Sequence, residues 1–419
     1  MTESAPASTR EAVEAVWRIE SAHIVGSLAR YTGDFTLAED MAQEALAAAL
    51  VTWPRDGVPA NPAGWLLTTA RRRAIDAFRR RSALDERYAA LARQADEAAG
   101  HQGAPDWDPD RIEDDVLALM FISCHPALSR ESQVALTLRV LGGLTSDEIA
   151  RGFLVPTATV QARITRAKKT LAAGRVPFEV PPPEERRERL GSVLSVIYLI
   201  FTEGSSATAG TALIRTDLAR EAIRQARMLT QLMPEPETFG LLALLELTAA
   251  RFPARVDADG DPVLLEDQDR RRWDRSAIRR GRAALEAAGR AGRGLGAYGV
   301  QAAIAECHAV APSVEETDWS RIVVLYEALG RLAPSPVVDL NRAVAVSMAD
   351  GPAAALPIVD ELVAAGALSG THLLPTVRGE LLTRLGRTHE ARDELEAAVR
   401  LCRSEPERRV LERKIAAIT

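Results

Sequence analysis

The stretch TSDEIARGFLVPTATVQARITRAKKTL, residues 145–171, decides the reading of this chain: it is either a helix pair packed into a bundle or a helix pair that lies on DNA. Thr145, Ser146, Asp147 and Glu148 make a capping-box pattern, in which the hydroxyl and the carboxylate each satisfy a free backbone N–H at a helix start. A helix begins there and continues through Ile149 and Ala150; Gly152 to Pro156 breaks it, and Thr157 is placed to cap a second helix. In the second helix Val160, Ile164, Ala167 and Leu171 fall at i, i+4, i+7 and i+11, one narrow apolar stripe. The opposite face presents Thr159, Gln161, Ala162, Thr165, Arg166 and Lys169, with Arg163 and Lys168 at its flanks.

Solvated helix faces usually mix glutamate with lysine or arginine. From Thr157 to Arg175 there is no carboxylate at all. A face without acid suits contact with phosphates, and short residues near the helix start let the backbone approach the major groove. Helix, tight break and cationic helix together make a helix-turn-helix, and duplex DNA is the expected partner.

The rest of the chain sets the context. With 419 residues and 47% hydrophobic content it can bury a large core and hold two or three domains. No apolar run reaches the length of a membrane span and the N-terminus lacks signal-peptide character, so a cytoplasmic location is expected. Cys124, Cys307 and Cys402 show no ligand spacing and are expected as buried thiols, with no disulfide, metal or other cofactor.

The net charge of −6 conceals segregation. Residues 61–81 carry six arginines against Asp76 alone, residues 145–175 carry six cations against Asp147 and Glu148, and residues 82–116 hold ten carboxylates against three arginines. Two basic islands are thus joined by an acidic strap.

In the first island Asn61 can cap a helix, Pro62 suits its first position, and Leu67, Ala70, Ala74 and Phe78 form its buried stripe. Trp65, Arg72, Asp76, Arg79 and Arg80 face outward. Trp65 then either stacks on an unpaired base among arginines that track a backbone, or packs on another helix as an apolar anchor.

Richness in alanine, leucine, arginine and glutamate without period-two alternation predicts an all-α protein. The expected layout is a helical block over 10–81, an acidic linker over 82–111 with the turn-rich GHQGAPDWDPD, a second block over 112–175, and a boundary at Pro181 to Pro183. Residues 184–419 are again helical. Within them PVVDLNRAVAVSMADGPAAALPIVDELV superposes at an offset of 36 on LPTVRGELLTRLGRTHEARDELEAAVRL, with Ala343 on Gly379 and Ala355 on Ala391. The repeat resembles tetratricopeptide (TPR) units; an irregular helical bundle is the alternative.

WLLTTARRRAIDAFRRR followed after a linker by VALTLRVLGGLTSDEIARGFLVPTATVQARITRAKKTL resembles the two conserved regions of bacterial extracytoplasmic-function (ECF) sigma factors of the sigma-70 family, over roughly residues 10–175. DFTLAEDMAQEALAAAL, residues 34–50, is similar to that family's segment for the clamp helices of the polymerase β′ subunit.

The resemblance implies that Asp40, Gln43 and Glu44 face core RNA polymerase, whose β′ clamp helices and β flap are the expected partners. It further implies that residues 58–81, Arg71 included, open and hold the minus-ten element, and that Thr157 to Lys169 read the minus-thirty-five duplex. The acidic strap resembles the linker that threads the polymerase, as a nucleic-acid mimic or as a solvated tether. The long continuation resembles the subgroup with a TPR-like extension, for which a regulatory role and a protein partner are expected.

Two other readings compete. An ordinary helix-turn-helix regulator would bind duplex without replacing a sigma factor. An enzyme would place a site in the C-terminal half, but Gly294 to Gly299 (GxGxxG) follows a helical stretch rather than a strand, the carboxylates of 257–274 and 308–319 form no acid-base pair, and Asp257 to Asp261 misplaces the glycine of a calcium loop. No catalysis is expected.

Overall fold

Strong helix formers and the scarcity of β-branched alternation leave the helix as the economical way to satisfy this backbone. The computed structural model describes residues 5–82, 109–205, 216–257, 262–292, 294–402 and 404–418. Among them are eighteen α-helices and no strand, only an isolated bridge between Val256 and Pro262. The acidic strap therefore lies largely outside the described residues, as does most of the 257–261 loop. Residues 109–111, expected in the linker, already belong to a helix.

The chain divides into two units, residues 1–197 and 198–419. In the first are α1 (Ala5–Thr32), α2 (Phe35–Asp56), α3 (Pro62–Ser82), α4 (Pro109–Ser123), α5 (Arg130–Val140), α6 (Ser146–Phe153), α7 (Thr157–Ala173) and the first part of α8 (Pro183–Ser205). Asp34 caps α2 by accepting from the Leu37 N–H at 3.1 Å, and Asn61 caps α3 by accepting from the Gly64 N–H at 2.9 Å. Trp17, Leu28, Leu37, Trp53 and Leu66 are buried where α1, α2 and α3 meet.

The two blocks were expected as separate small domains on a tether. The described parts instead pack as one unit, because α1 also lies along α4. Gly26 makes this approach feasible: a Cβ there would stand 3.0 Å from the Cβ of Asp115. Arg30 pairs with the buried Asp115 across the same contact. Burial pushes the Asp115 pKa up even though Arg30 opposes the shift.

Proline does end the helical run before residue 183, but Pro183 itself opens α8, a position where its missing N–H costs nothing. The start of α8 is tied to the first unit, with Arg189 donating to the Phe121 carbonyl at 3.4 Å and Arg130 donating to the Ser195 hydroxyl. The division thus falls inside α8 rather than at Pro183.

The second unit continues with α9 (Thr216–Leu232), α10 (Pro236–Ala249), α11 (Arg275–Ala291), α12 (Ala297–Val310), α13 (Trp319–Leu332), α14 (Pro336–Ala349), α15 (Pro352–Ala364), α16 (Leu373–Arg384), α17 (Thr388–Leu401) and α18 (Glu405–Ala417). The repeat read at an offset of 36 is seen as two helix pairs, α14 with α15 and α16 with α17. Ala343, Ala355 and Ala391 are fully buried in one shared core, and Gly379 meets Leu395.

The tightest crossing sits earlier in this unit. A Cβ on Gly240 in α10 would stand 2.6 Å from the backbone N of Gly299 in α12. Glycine to alanine within a helix ordinarily stabilises by up to about 1 kcal/mol. Here the backbone cannot yield, so Gly240→Ala should instead destabilise by about 1–3 kcal/mol, read as a lower urea midpoint for the second unit.

Candidate nucleic-acid interface

The helix-turn-helix is built as its cap predicts. The Thr145 hydroxyl accepts from the Glu148 N–H at 3.1 Å, and Glu148 accepts from the Thr145 N–H at 2.8 Å. The break lies within Gly152 to Pro156 as expected. Gly152 remains helical, and Leu154 makes the turn in a left-handed conformation with φ 50. Pro156, not Thr157, takes the cap position of α7, which has no side-chain cap. The Thr157 hydroxyl reaches back and donates to Asp147 at 2.7 Å, fixing the two helices to each other.

Val160, Ile164, Ala167 and Leu171 are all buried, as the stripe requires. Gln161, Ala162, Thr165, Arg166 and Lys169 are exposed, while Thr159 and Arg163 are half-buried. Among the described residues Arg166 and Lys169 have no ion-pair partner. The outward surface of α7 is therefore a field of uncompensated cations beside short side chains, suited to a polyanion.

Lys168 departs from this pattern. It is held inward by Glu39, with Asp40 at 2.6 Å. Burial works against the ammonium, but the two carboxylates overcome it and hold its pKa above the usual lysine value. Arg139 of α5 donates to the other oxygen of Glu39 at 3.3 Å. One of the expected duplex contacts is thus spent on an acidic residue expected to face polymerase. Nothing local marks Glu39 as a site, because a glutamate within AED reads as an exposed acid until Arg139 arrives from 100 residues away.

On α3, Leu67, Ala70 and Ala74 are buried as expected, joined by Leu66 and Ala77. Trp65 stands edge-on to the buried Trp53, ring centroids 5.6 Å apart, which favours the apolar anchor over a base-stacking platform. Arg71 also turns inward: it donates to the Ser27 hydroxyl at 3.4 Å and lies 5.6 Å over the Tyr31 ring, and burial lowers its pKa. Arg72, Asp76 and Arg79 are exposed, and Asn61 is occupied as the cap. The Arg80 and Phe78 side chains lie outside the described residues. On α2 Glu44 pairs with Arg73 at 2.7 Å, Gln43 is half-buried and Asp40 remains half open to solvent.

All three cysteines are buried, and burial pushes the Cys124 thiol up to about 12. The glycines of 294–299 lead into α12 without a strand, and the helix start is filled by the protein itself: Glu237 accepts from the Ala297 and Tyr298 N–H groups at 2.6 and 3.0 Å. A phosphate has no room there.

Residues 20–83 match the Sigma-70 region 2 family and residues 118–171 match the Sigma-70, region 4 family. Residues 189–289 match a family of unknown function, DUF6596. The uncharacterized protein R00370 of Rhizobium meliloti (strain 1021) is 46% identical over 390 residues, covering 90% of this chain and 89% of that protein. The probable ECF RNA polymerase sigma factor SigI of Mycobacterium tuberculosis is 28% identical over 181 residues, covering 43% of this chain and 61% of that protein. No solved structure matches.

Regions 2 and 4 in this order, the second ending in an acid-free helix, define a sigma-type helical protein. By these two regions the chain belongs to the sigma-70 family, and it shares nearly its full length with R00370. Among the described residues no helix is long and apolar enough to cross a membrane.

Two outcomes test this geometry. Lys168→Ala leaves Glu39 with one counter-charge and should lower the stability of the first unit by about 1–3 kcal/mol, seen in urea unfolding. Burial alone would raise the Glu148 pKa, but its hydrogen bonds with Thr145 hold it below the ordinary 4.5. Its contribution is full above that value and disappears as pH falls through the depressed folded-state pKa. Glu148→Gln should therefore lower stability at neutral pH and flatten the loss on acidification below about pH 4.5, followed by circular dichroism against pH.

Proposed function

We propose that the protein acts as a subunit of RNA polymerase, binding core enzyme and promoter DNA to direct initiation. The observation that carries this reading is the outward face of α7, where Arg166 and Lys169 have no counter-charge among the described residues, on a helix whose turn is locked by Thr157 and Asp147. In this reading α7 takes the minus-thirty-five duplex, Arg72 and Arg79 of α3 take the minus-ten strand, and the open edge of α2 at Asp40 and Gln43 meets the polymerase. The β′ clamp helices and the β flap are the proposed contacts. No enzymatic step is part of it.

The Lys168 to Asp40 contact then belongs to a resting form. Elements centred 25 positions apart are about 85 Å apart along B-DNA, at about 3.4 Å per base pair. A unit in which α7 is ion-paired to α2 cannot place α3 and α7 on both, so engagement requires these halves to separate. The second unit is proposed to regulate that step through a protein partner bound to its helix pairs.

In vitro transcription tests the reading: purified protein and sigma-free core polymerase are given a genomic fragment library, and start sites are mapped. Defined starts sharing upstream elements are expected. Silence with intact duplex binding would instead make the protein an ordinary helix-turn-helix regulator. A chain ending at Ser205, which keeps α8 whole, should change the yield if the second unit regulates.

Arg166→Ala should weaken binding to promoter duplex by about tenfold, within the 1–3 kcal/mol of a lost base or phosphate contact. Arg72→Ala should slow strand opening, read by permanganate footprinting, with smaller effect on duplex affinity.

A further inference from the structure

Three ligand-bearing residues converge in the second unit where the sequence shows no motif. His372 immediately precedes α16, Cys402 immediately follows α17, and Glu407 lies in the first turn of α18. Their donor atoms all lie within 4.8 Å of one another. His372 Nε2 stands 3.6 Å from Glu407 Oε2, and Cys402 Sγ stands 4.0 Å from the same oxygen.

These distances are too long for good hydrogen bonds between the groups, yet close to what a shared cation would require. Bonds of about 2.0–2.3 Å in a tetrahedral site put neighbouring donors roughly 3.3–3.6 Å apart, so side-chain adjustments of about 1 Å suffice. The backbone is already fixed, with Arg408 donating to the Cys402 carbonyl at 2.8 Å; Cys402 Sγ donates to the Ser404 carbonyl at 3.4 Å, a bond it gives up when the thiol ionises.

We propose that His372, Cys402 and Glu407 bind one Zn2+ through Nε2, Sγ and a carboxylate oxygen, with water as the fourth ligand. The Cys402 thiol gives up its proton to solvent on binding, and thiolate with carboxylate then neutralise the cation. A mixed nitrogen, sulfur and oxygen set favours zinc over magnesium or calcium, which take oxygen ligands. Three protein ligands with an open fourth position make the ion exchangeable rather than a closed structural clip.

Occupancy would tie the ends of three helices together. α18 supplies Lys414 and Ala417, and the residue after it Ile418, to the wall of a cavity of about 650 Å³ that Val344, Met348 and Val377 also line. The metal therefore stiffens a wall of this recess, and links its shape to zinc supply.

The test is titration of chelator-stripped full-length protein with Co2+ and then Zn2+. One equivalent is expected, with the intense near-ultraviolet band of thiolate-bound cobalt and its displacement by zinc. Cys402→Ser should abolish the band, and His372→Ala and Glu407→Gln should each weaken Zn2+ binding about tenfold or more, whereas Cys307→Ser should change nothing. Absence of stoichiometric binding at micromolar cobalt, or a band that survives Cys402→Ser, would overturn the proposal. Should the cysteine variant not fold, Glu407→Gln decides alone, since this half-exposed position is not needed for packing and an unchanged affinity would remove the site.

Discussion

Glu39 is 2% exposed, and a carboxylate so placed must find its counter-charges inside the protein. Both come from the second helical block, Arg139 from α5 and Lys168 from α7, while the glutamate sits on α2. This constraint holds what would otherwise be two small bundles in one unit. Arg18 with Glu148 and Arg30 with Asp115 add two further crossings from α1. Every one of these pairs joins a cation on one block to an acid on the other.

The pairing also explains how a chain of net charge −6 keeps basic surfaces. Three acids of residues 5–82 are drawn to structural tasks: Glu39 to the crossing, Glu44 to Arg73, Asp34 to a cap. In α7 no acid exists to neutralise Arg166 or Lys169. Cations left over by this accounting, not overall composition, create the field that a polyanion would meet.

What was legible in the sequence was local. The capping box at Thr145, the cap at Asn61 and the apolar stripes of α3 and α7 depend on residues within a turn or two, and each is where its spacing places it. What was illegible was distant or conformational. Glu39 with Arg139, and His372 with Cys402, are pairs whose meaning exists only after folding. Leu154 shows another limit: the spacing places the break within Gly152 to Pro156 but does not show that an exposed leucine bears the positive φ there while Thr157 and Asp147 hold the geometry. Trp65 was ambiguous for the opposite reason, since an aromatic among arginines suits both an anchor and a platform until Trp53 is seen beside it.

The energetics of the Glu39 crossing bear on how readily it could open. Taking two or three charges out of water costs several kcal/mol per ion, and their mutual attraction roughly repays it, so such a network contributes far less net stability than its contact list suggests. Separation of α7 from α2 would return Glu39, Arg139 and Lys168 to water together, stranding none of them. The penalty for removing one partner is therefore much larger than the penalty for parting the surfaces intact. A crossing of this kind fixes one arrangement of the two blocks with high specificity and holds it with little force. Those are the properties required of a contact that binding partners for α2 and α7 would displace, because a phosphate can replace the carboxylates at Lys168 and a cationic surface can replace Lys168 at Asp40.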